Sequence, residues 1–491
     1  MKQQELDIYL TTPAPPLSYV LMLDGDKEVP PVWGFTRDIL PSGACLHSSP
    51  DLCANIECDP DSGRFVAVLG LAVDVHNHGM DNQVIASLLL KKLSCGEDAL
   101  LAALDSVAGR HVVIFRESLS SRVKIVNDAC AMLKVNYNAS ARIVSSNIYL
   151  IASLVGGISL REEFVYYRDL WRMGSLGNLS PLQDTKILTP NHLLDAYDFT
   201  ISRFYPRASL PESNNIDGLA QQFVENSRAQ SDILHTSTRF IRGLTAGTDS
   251  RVSMASARHE ADIYFTYYSS HKELMDMRAA CQIAEKMSLD HYVLAYSDLI
   301  DEADAQKCRS KILAHKMNRQ SINRIRAWDW YGHRIGLASS YADNLVPLVR
   351  DEKTPLHIRA NLYEIGRAFW GRKGRCNKRD DILPRAKPQW DKEARGIFED
   401  YFRESEFTEE KLCGYDFLDM FYWEHRCGTW ISEVLQGTDF AFNTHSFISC
   451  RKAIELTLQA PFEDRLDGSL FSKVISMGAP ELSEMPINGV Y

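Results

Sequence analysis

The chain has 491 residues, 45 % hydrophobic and 24 % charged, which excludes a disordered chain and, at this length, a single small module. Its net charge of −10 argues against a nucleic-acid coat or a polybasic membrane binder. The longest clean apolar run, residues 65–73, is too short for a membrane helix, and Met1-Lys2-Gln3-Gln4-Glu5 opens no apolar signal stretch, so a soluble cytoplasmic protein is expected.

In chain order, residues 64–73, 109–115, 123–127, 134–137 and 148–152 are short β-branched or aromatic runs between polar turns, and are predicted strands. Residues 81–92 and 96–107 carry apolar side chains at helical spacing and are predicted helices. Residues 188–207 lead into 208–217, which holds Pro, Ser and paired Asn, so domains are expected over 1–207 and 216–491. The pattern then alternates: helix 219–234, strand 240–244, helix 250–258, strand 263–268, helix 273–287, strand 292–295. Such alternation predicts a doubly wound parallel sheet with right-handed crossovers. From Asp301 onward the chain reads as mainly helical. The eleven cysteines are scattered without a CxxC pair, which predicts reduced thiols and no cysteine zinc site.

The first strand-to-helix turn of that sheet, Gly243-Leu-Thr-Ala-Gly-Thr-Asp-Ser-Arg251, carries the chemistry. In open α/β folds ligands collect at the carboxyl ends of strands, and a helix N-terminus offers free N–H groups to phosphate. Thr245, Thr248 and Ser250 add hydroxyl donors, and Gly247 allows close approach. Asp249 repels phosphate unless a cation lies between them, a role that suits Mg²⁺. No GxGxxG is present here, and residues 366–373 (GRAFWGRK) lack the Lys and Ser/Thr of a Walker loop. On these residues alone, an ordinary turn that binds nothing stays open.

Thr245-Ala-Gly-Thr-Asp-Ser250 resembles the Ser-Gly-Gly-x-Asp-Ser pyrophosphate loop of ATP pyrophosphatase enzymes, in particular the asparagine synthetase and β-lactam synthetase branch, with Thr for Ser and Ala for Gly. Strand 263–268, then Asp276, Ala279 and Ala280, residues 283–287 and His291 are similar to the family's second unit. Upstream, residues 109–115, Asp128, Tyr137, 144–146 and 151–153 resemble its glutaminase-type domain. The resemblance implies an α/β protein in two parts. Over 1–207 it implies a degenerate glutaminase-like domain, an Ntn-hydrolase-like α+β sandwich. Over 216–491 it implies a PP-loop synthetase domain, an adenine nucleotide α-hydrolase-like doubly wound parallel sheet with helical additions. It further implies ATP on Thr245, Ala246, Gly247, Thr248, Asp249, Ser250 and Arg251, with Mg²⁺. The implied activity is adenylation of a small-molecule or peptide carboxylate, with pyrophosphate release, and transfer to an amine acceptor.

Departures refine that reading. The family's glutaminase uses a Cys at position 2, where this chain has Lys2, and Cys45 reads as an ordinary thiol in a loop. Glutamine hydrolysis is therefore expected to be absent, as in the degenerate copies of β-lactam synthetase and lasso-peptide cyclases. The counterpart of the family's Gly-x-Gly-x-Asp-Glu loop is LHIRANLYEIGR, residues 356–367, where Tyr363 replaces the Asp. Glu364 and Tyr363 are the candidate catalytic residues, and Asp249 and Glu364 the candidate Mg²⁺ ligands. Glu364 fits equally well as a helix-face acid paired with Arg367. The family also places a catalytic Lys near its C-terminus. Here none follows Lys473, which reads as solvated, so another cation substitutes or the chemistry differs.

Residues 367–395 hold ten Lys and Arg against four acids, suited to an anionic substrate, to RNA, or to a solvated mobile loop. Residues 421–426 (FYWEHR) with Trp430 lie on an expected helix, with aromatics for the core and Glu424 and Arg426 as candidates for an acceptor pocket. Residues 266–271 are expected to shape the same pocket. An RNA-modifying PP-loop enzyme and a non-catalytic nucleotide-binding scaffold are the rival readings. The acidic total charge disfavours nucleic acid, no membrane partner is expected, and a homodimer is compatible with the sequence.

Overall fold

β-Branched and aromatic runs dominate the first 205 residues, and in this computed structural model they build two antiparallel six-stranded sheets. The structure describes residues 10–25, 27–77, 79–156, 159–167, 170, 174–268, 273–295, 310–314, 341–349, 354–387 and 389–485. The strands are β1 (Tyr19–Met22), β2 (Thr36–Ile39), β3 (Cys45–Ser48), β4 (Ala54–Asp59), β5 (Arg64–Asp74), β6 (Val107–Arg116), β7 (Lys124–Asn127), β8 (Asn136–Asn138), β9 (Ile143–Ser145), β10 (Thr185–Ile187), β11 (His192–Asp195) and β12 (Ile201–Arg203). One sheet runs β10-β8-β9-β1-β3-β2, the other β12-β11-β7-β6-β5-β4.

Their inner faces meet in one core, with Tyr19, Leu21 and Leu46 against Phe65, Leu69, Val112 and Ile114. Helices α1 (Asn82–Leu93) and α2 (Glu97–Ala103) cover the outer face of the second sheet, and α3 (Ile148–Val155) covers the first. The layers therefore run helix, sheet, sheet, helix.

The predicted strands 64–73, 109–115 and 123–127 are β5, β6 and β7, and both predicted helices form. Residues 148–152, predicted as a strand, are instead helix α3. Asn147 caps it by accepting the Tyr149 N–H at 2.8 Å, and its apolar residues bury against β1 and β3. A short continuous apolar run fits a buried helix as well as a strand. Strand 134–137 is shifted to β8. Cys45 lies buried in strand β3 rather than in a loop, its Sγ 3.3 Å from His47 Nε2.

Helix α4 (Ile216–His235) opens the second half, capped where Asn215 accepts the Gly218 N–H at 3.0 Å. Then follow β13 (Thr238–Gly243), α5 (Thr248–Ser256), β14 (Ile263–Tyr268), α6 (Leu274–Lys286), β15 (Asp290–Ala295), β16 (Lys311–Ala314), β17 (Thr354–Ile358), α7 (Lys392–Glu404), β18 (Asn443–His445), α8 (Arg451–Leu458) and α9 (Ser469–Gly478). The six strands form one parallel sheet in the order β16-β15-β14-β13-β17-β18, covered on both faces. The chain starts at the centre, winds outward through β14 to β16, and returns on the other side as β17. The order of strands thus reverses between β13 and β17, where open α/β sheets leave a crevice.

The parallel sheet agrees with the alternation in the sequence, although β16, β17 and β18 were not expected, and all three break the mainly helical reading after Asp301. Residues 301–309, 315–340, 350–353, 388 and 486–491 of that reading lie outside the described residues. The aromatic stretch does form a helix, α-helical over Phe417–Phe421 and a wider π-helix over Tyr422–Ile431. The basic stretch is not a free loop: Arg379 pairs with Glu399 at 3.2 Å, Arg375 pairs with Glu212, and Arg385 donates to the Arg375 carbonyl at 3.1 Å. Among the described residues no helix is long and apolar enough to cross a membrane.

Helix α9 packs closely on the last turn of α5. At Gly478 a Cβ would stand 1.8 Å from the Ala255 carbonyl oxygen. Gly478→Ala is expected to destabilise the protein by about 1–3 kcal/mol, read as a lower urea midpoint at unchanged slope.

The two halves share a core cluster that includes Val73, Ala129 and Met132 from the first and Trp423, Phe447 and Ile454 from the second. Buried ion pairs cross the same boundary: Arg110 with Asp439, Lys134 with Glu433, and Arg203 with Glu424.

Candidate functional site

A cavity of about 250 Å³ opens at the carboxyl ends of β13, β14 and β17, where the strand order reverses. Its floor is residues 243–245 with Asp249 and Ser250. Its walls are residues 265–267, Glu273, Asp276, Tyr341, residues 357–361 and Glu364. The turn after β13 holds itself in shape. Thr245 N–H donates to Ser250 Oγ at 3.2 Å, the two hydroxyl oxygens lie 3.0 Å apart, and Gly247 N–H donates to Thr245 Oγ1 at 3.2 Å. Ala246 N–H donates to Asp276 Oδ1 at 3.0 Å, so the first turn of α6 braces the loop.

The electrostatic centre is a pair of carboxylates. Asp249 projects from the first turn of α5, and Glu364 from the short helix Tyr363–Arg367 after β17. Burial pushes Asp249 up to about 6 against the opposing pull of Arg367, whose Nη2 donates to Oδ2 at 2.8 Å. Glu364 rises further, to about 8, first by burial and then by the negative field of Asp249, with Arg367 and Arg426 pulling the other way. Asp249 Oδ1 and Glu364 Oε2 are buried and accept no hydrogen bond. Two half-buried carboxylates that raise each other's affinity for positive charge, each with a buried oxygen to spare, fit a hard divalent cation such as Mg²⁺.

Of the residues predicted for this site, Thr245, Asp249, Ser250 and Glu364 come together at the cavity. Ala246 is close-packed behind it, with its N–H engaged by Asp276. Gly247 and Thr248 start α5 without lining the cavity. Arg251 turns away into the protein, donating to the Met485 carbonyl at 2.9 Å. Tyr363 is also turned away: its ring packs edge-on to Phe223 and Phe471 at 6.1 and 5.8 Å, in the core behind the loop. The alternative pairing of Glu364 with Arg367 gives way to Arg367 with Asp249.

Glu424 is sequestered by Arg203, whose Nη2 donates to Oε2 at 2.8 Å, so it lines no acceptor pocket. Arg426 lies over the Trp430 ring at 3.7 Å on the π-helix. Lys473 pairs with Asp217 at 2.9 Å on the surface, in keeping with its solvated reading. His291 holds β15 to β14 through Thr266 Oγ1 at 3.1 Å and meets Ser310 Oγ at 2.8 Å. Lys2 and residues 269–271 lie outside the described residues.

One residue escaped the sequence reading. His357 of β17 is buried against the rings of Phe265, Tyr341 and Phe442, at 5.7, 6.0 and 4.8 Å. Burial, with Arg359 nearby, holds it neutral, well below the usual histidine range, and its Nδ1 has no hydrogen-bond partner. It gives the cavity an aromatic-walled arm with one polar group. Its only signal in the sequence was a polar residue between Leu356 and Ile358 of a buried strand. No protein-family model matches this chain, and no curated protein is significantly similar to it.

Proposed function

We propose that the chain is an ATP-dependent carbon–nitrogen ligase of the asparagine synthetase and β-lactam synthetase type, which adenylates a substrate carboxylate. The observation that carries the reading is the Asp249–Glu364 pair, two partly unsatisfied carboxylates facing one cavity beside the Thr245–Ser250 hydroxyls at a strand-order reversal. The helix, sheet, sheet, helix layering of the first half supports a glutaminase-like domain of Ntn type. The parallel sheet with its central loop supports a PP-loop domain.

In this reading Thr245, Ser250 and the N-terminus of α5 bind the phosphates, and the aromatic arm at His357 takes the flat base. Asp249 and Glu364 hold Mg²⁺, which when bound neutralises phosphate charge. Both bind it as carboxylates, so the cation must displace the proton that Glu364 still holds near neutral pH, and its binding strengthens as pH rises toward about 8. The carboxylate attacks the α-phosphorus, pyrophosphate leaves, and an amine takes the acyl group from the adenylate. Electrostatic stabilisation of the phosphoryl transition state is the main demand on such a site, and Arg359 and Arg367 supply cations at its rim. Cytoplasmic location, a carboxylate and an amine as the substrates, and loss of glutaminase activity belong to the same proposal.

A nucleotide-binding scaffold without turnover is the second reading. The Arg367–Asp249 ion pair favours it, since that cation already occupies one oxygen of the metal ligand. Pyrophosphate release from Mg-ATP over a panel of carboxylates, amines and ammonia tests both. The ligase predicts release that needs an acid and falls by about 10³-fold or more in Asp249→Ala. Nucleotide binding without release across the panel would favour the scaffold.

A further inference from the structure

We infer a second site, a zinc-type metal site built by His235, His259 and Asp262 at the opposite end of the parallel sheet. His235 ends α4, and His259 and Asp262 sit in the turn between α5 and β14. They therefore lie at the amino ends of β13 and β14, about 17 Å from the cavity by the rise of a strand. One donor atom from each of the three residues falls within 4.8 Å of the other two.

The carboxylate is held as metal ligands are held. Asp262 is 1 % exposed, and its Oδ2 accepts from Arg242 Nε at 2.7 Å and from the His259 backbone N–H at 3.1 Å. Such outer bonds fix a ligand's orientation. Its Oδ1 is buried and faces His235 Nε2 at 3.2 Å, and after Arg242 this histidine helps hold the carboxyl below its usual range. The two atoms are close enough to share a cation in place of that contact. The His235 ring is fixed between Phe240 and His259, at centroid distances of 3.8 and 4.2 Å.

Two imidazoles and one carboxylate form a nitrogen-rich set that suits Zn²⁺ better than Mg²⁺, with a fourth position left for water. His259 is exposed, which gives the ion a way in. Arg242 opposes a dication by its charge, yet it is already engaged on the far oxygen and on the carbonyls of Ser253, at 3.1 Å, and Ala257. His259 Nδ1 accepts the Ala261 N–H at 3.2 Å, a single weak bond that ligation through that nitrogen would replace. The cysteines take no part.

The test is calorimetric titration of the chelator-stripped full chain with zinc sulfate, repeated with Co²⁺ to read its visible absorption band. Expected are one equivalent bound per chain at micromolar affinity or tighter, a tetrahedral Co²⁺ band, and a raised thermal midpoint. His259→Ala, at an exposed position, should keep the metal-free midpoint, weaken zinc at least about tenfold and abolish the band. His235→Gln should do the same to the metal, and Asp249→Ala should leave it untouched, which separates this site from the carboxylate cavity. Absence of binding, or binding indifferent to His259→Ala, would overturn the site and leave a plain histidine–aspartate ion pair.

Discussion

Glu364→Gln is expected to stabilise the metal-free protein above pH 8 while removing pyrophosphate release. In the folded chain the Glu364 carboxyl holds its proton up to about 8, because it is buried and faces Asp249, whereas its ordinary value is 4.5. Between those values the folded state binds more protons than the unfolded state, so stability falls as pH rises from about 4.5 to about 8. Gln keeps the shape and cannot ionise, so the penalty disappears. The gain above pH 8 is of the order of 2–4 kcal/mol, and it vanishes below about pH 4.5. Asp249, raised to about 6, adds a loss of the same sign in the lower part of that window in both proteins.

Saturating Mg²⁺ should reverse the order. A bound cation favours the ionised pair, so the wild type gains stability and its metal affinity rises with pH between about 6 and 8, while Gln offers one ligand charge fewer. Urea midpoints in chelator and in Mg²⁺, near pH 6 and pH 8.5, read all four arms. Equal midpoints for the two proteins in chelator near pH 8.5 would show that Glu364 carries no burial penalty. The carboxylate pair would then lose its claim to be a metal site.

How far the sequence could be read depended on whether one local pattern had one physical solution. The alternation after residue 216 could be read because a parallel strand and a crossover helix have different periods, and β13 to β15 with α4 to α6 follow it. Asp249 and Ser250 could be read because small residues and a carboxylate at a helix start have few uses. Residues 148–152 could not, since a buried helix and a strand are equally apolar there, and the cap at Asn147 decided. Strands β8 to β12 are three or four residues long, with buried Asn, Ser, Thr and His, whose hydrogen bonds exist only after the sheets assemble. The same holds for the site. Tyr363 and Glu364 are adjacent in sequence, but the turn after β17 sends one to the core and the other to the cavity. Arg367 lies three residues from Glu364 and pairs with Asp249, 118 positions away. Periodicity carries no information about such pairings.

Arg110→Ala is expected to cost about 3–5 kcal/mol, a large part of the 5–15 kcal/mol that holds a typical domain together. Arg110 sits on β6, 2 % exposed, and its Nη2 donates to Asp439 Oδ2 at 2.8 Å while Nε donates to the Met132 carbonyl at 2.7 Å. Truncation would leave the buried Asp439 charge without that cation, and burial already pushes this carboxyl up. Arg122→Ala is the contrast. That guanidinium is half exposed between Asp195 and Asp198, at 3.2 and 2.6 Å, and its loss should leave the urea midpoint nearly unchanged. Arg110→Met with Asp439→Leu should recover most of the loss, because an apolar pair of similar volume needs no desolvation of charge. The pair also bears on the cavity. Asp439 stands three residues before Phe442, whose ring packs on the cavity-lining His357 at 4.8 Å, so Arg110→Ala should weaken nucleotide binding as well as fold stability. A shared core and the buried ion pairs that cross it predict one cooperative urea transition for the whole chain, displaced as a unit in Arg110→Ala. Two separated transitions, with only the first displaced, would instead mean that the sandwich and the parallel sheet are stable alone and that the ion pair merely docks them.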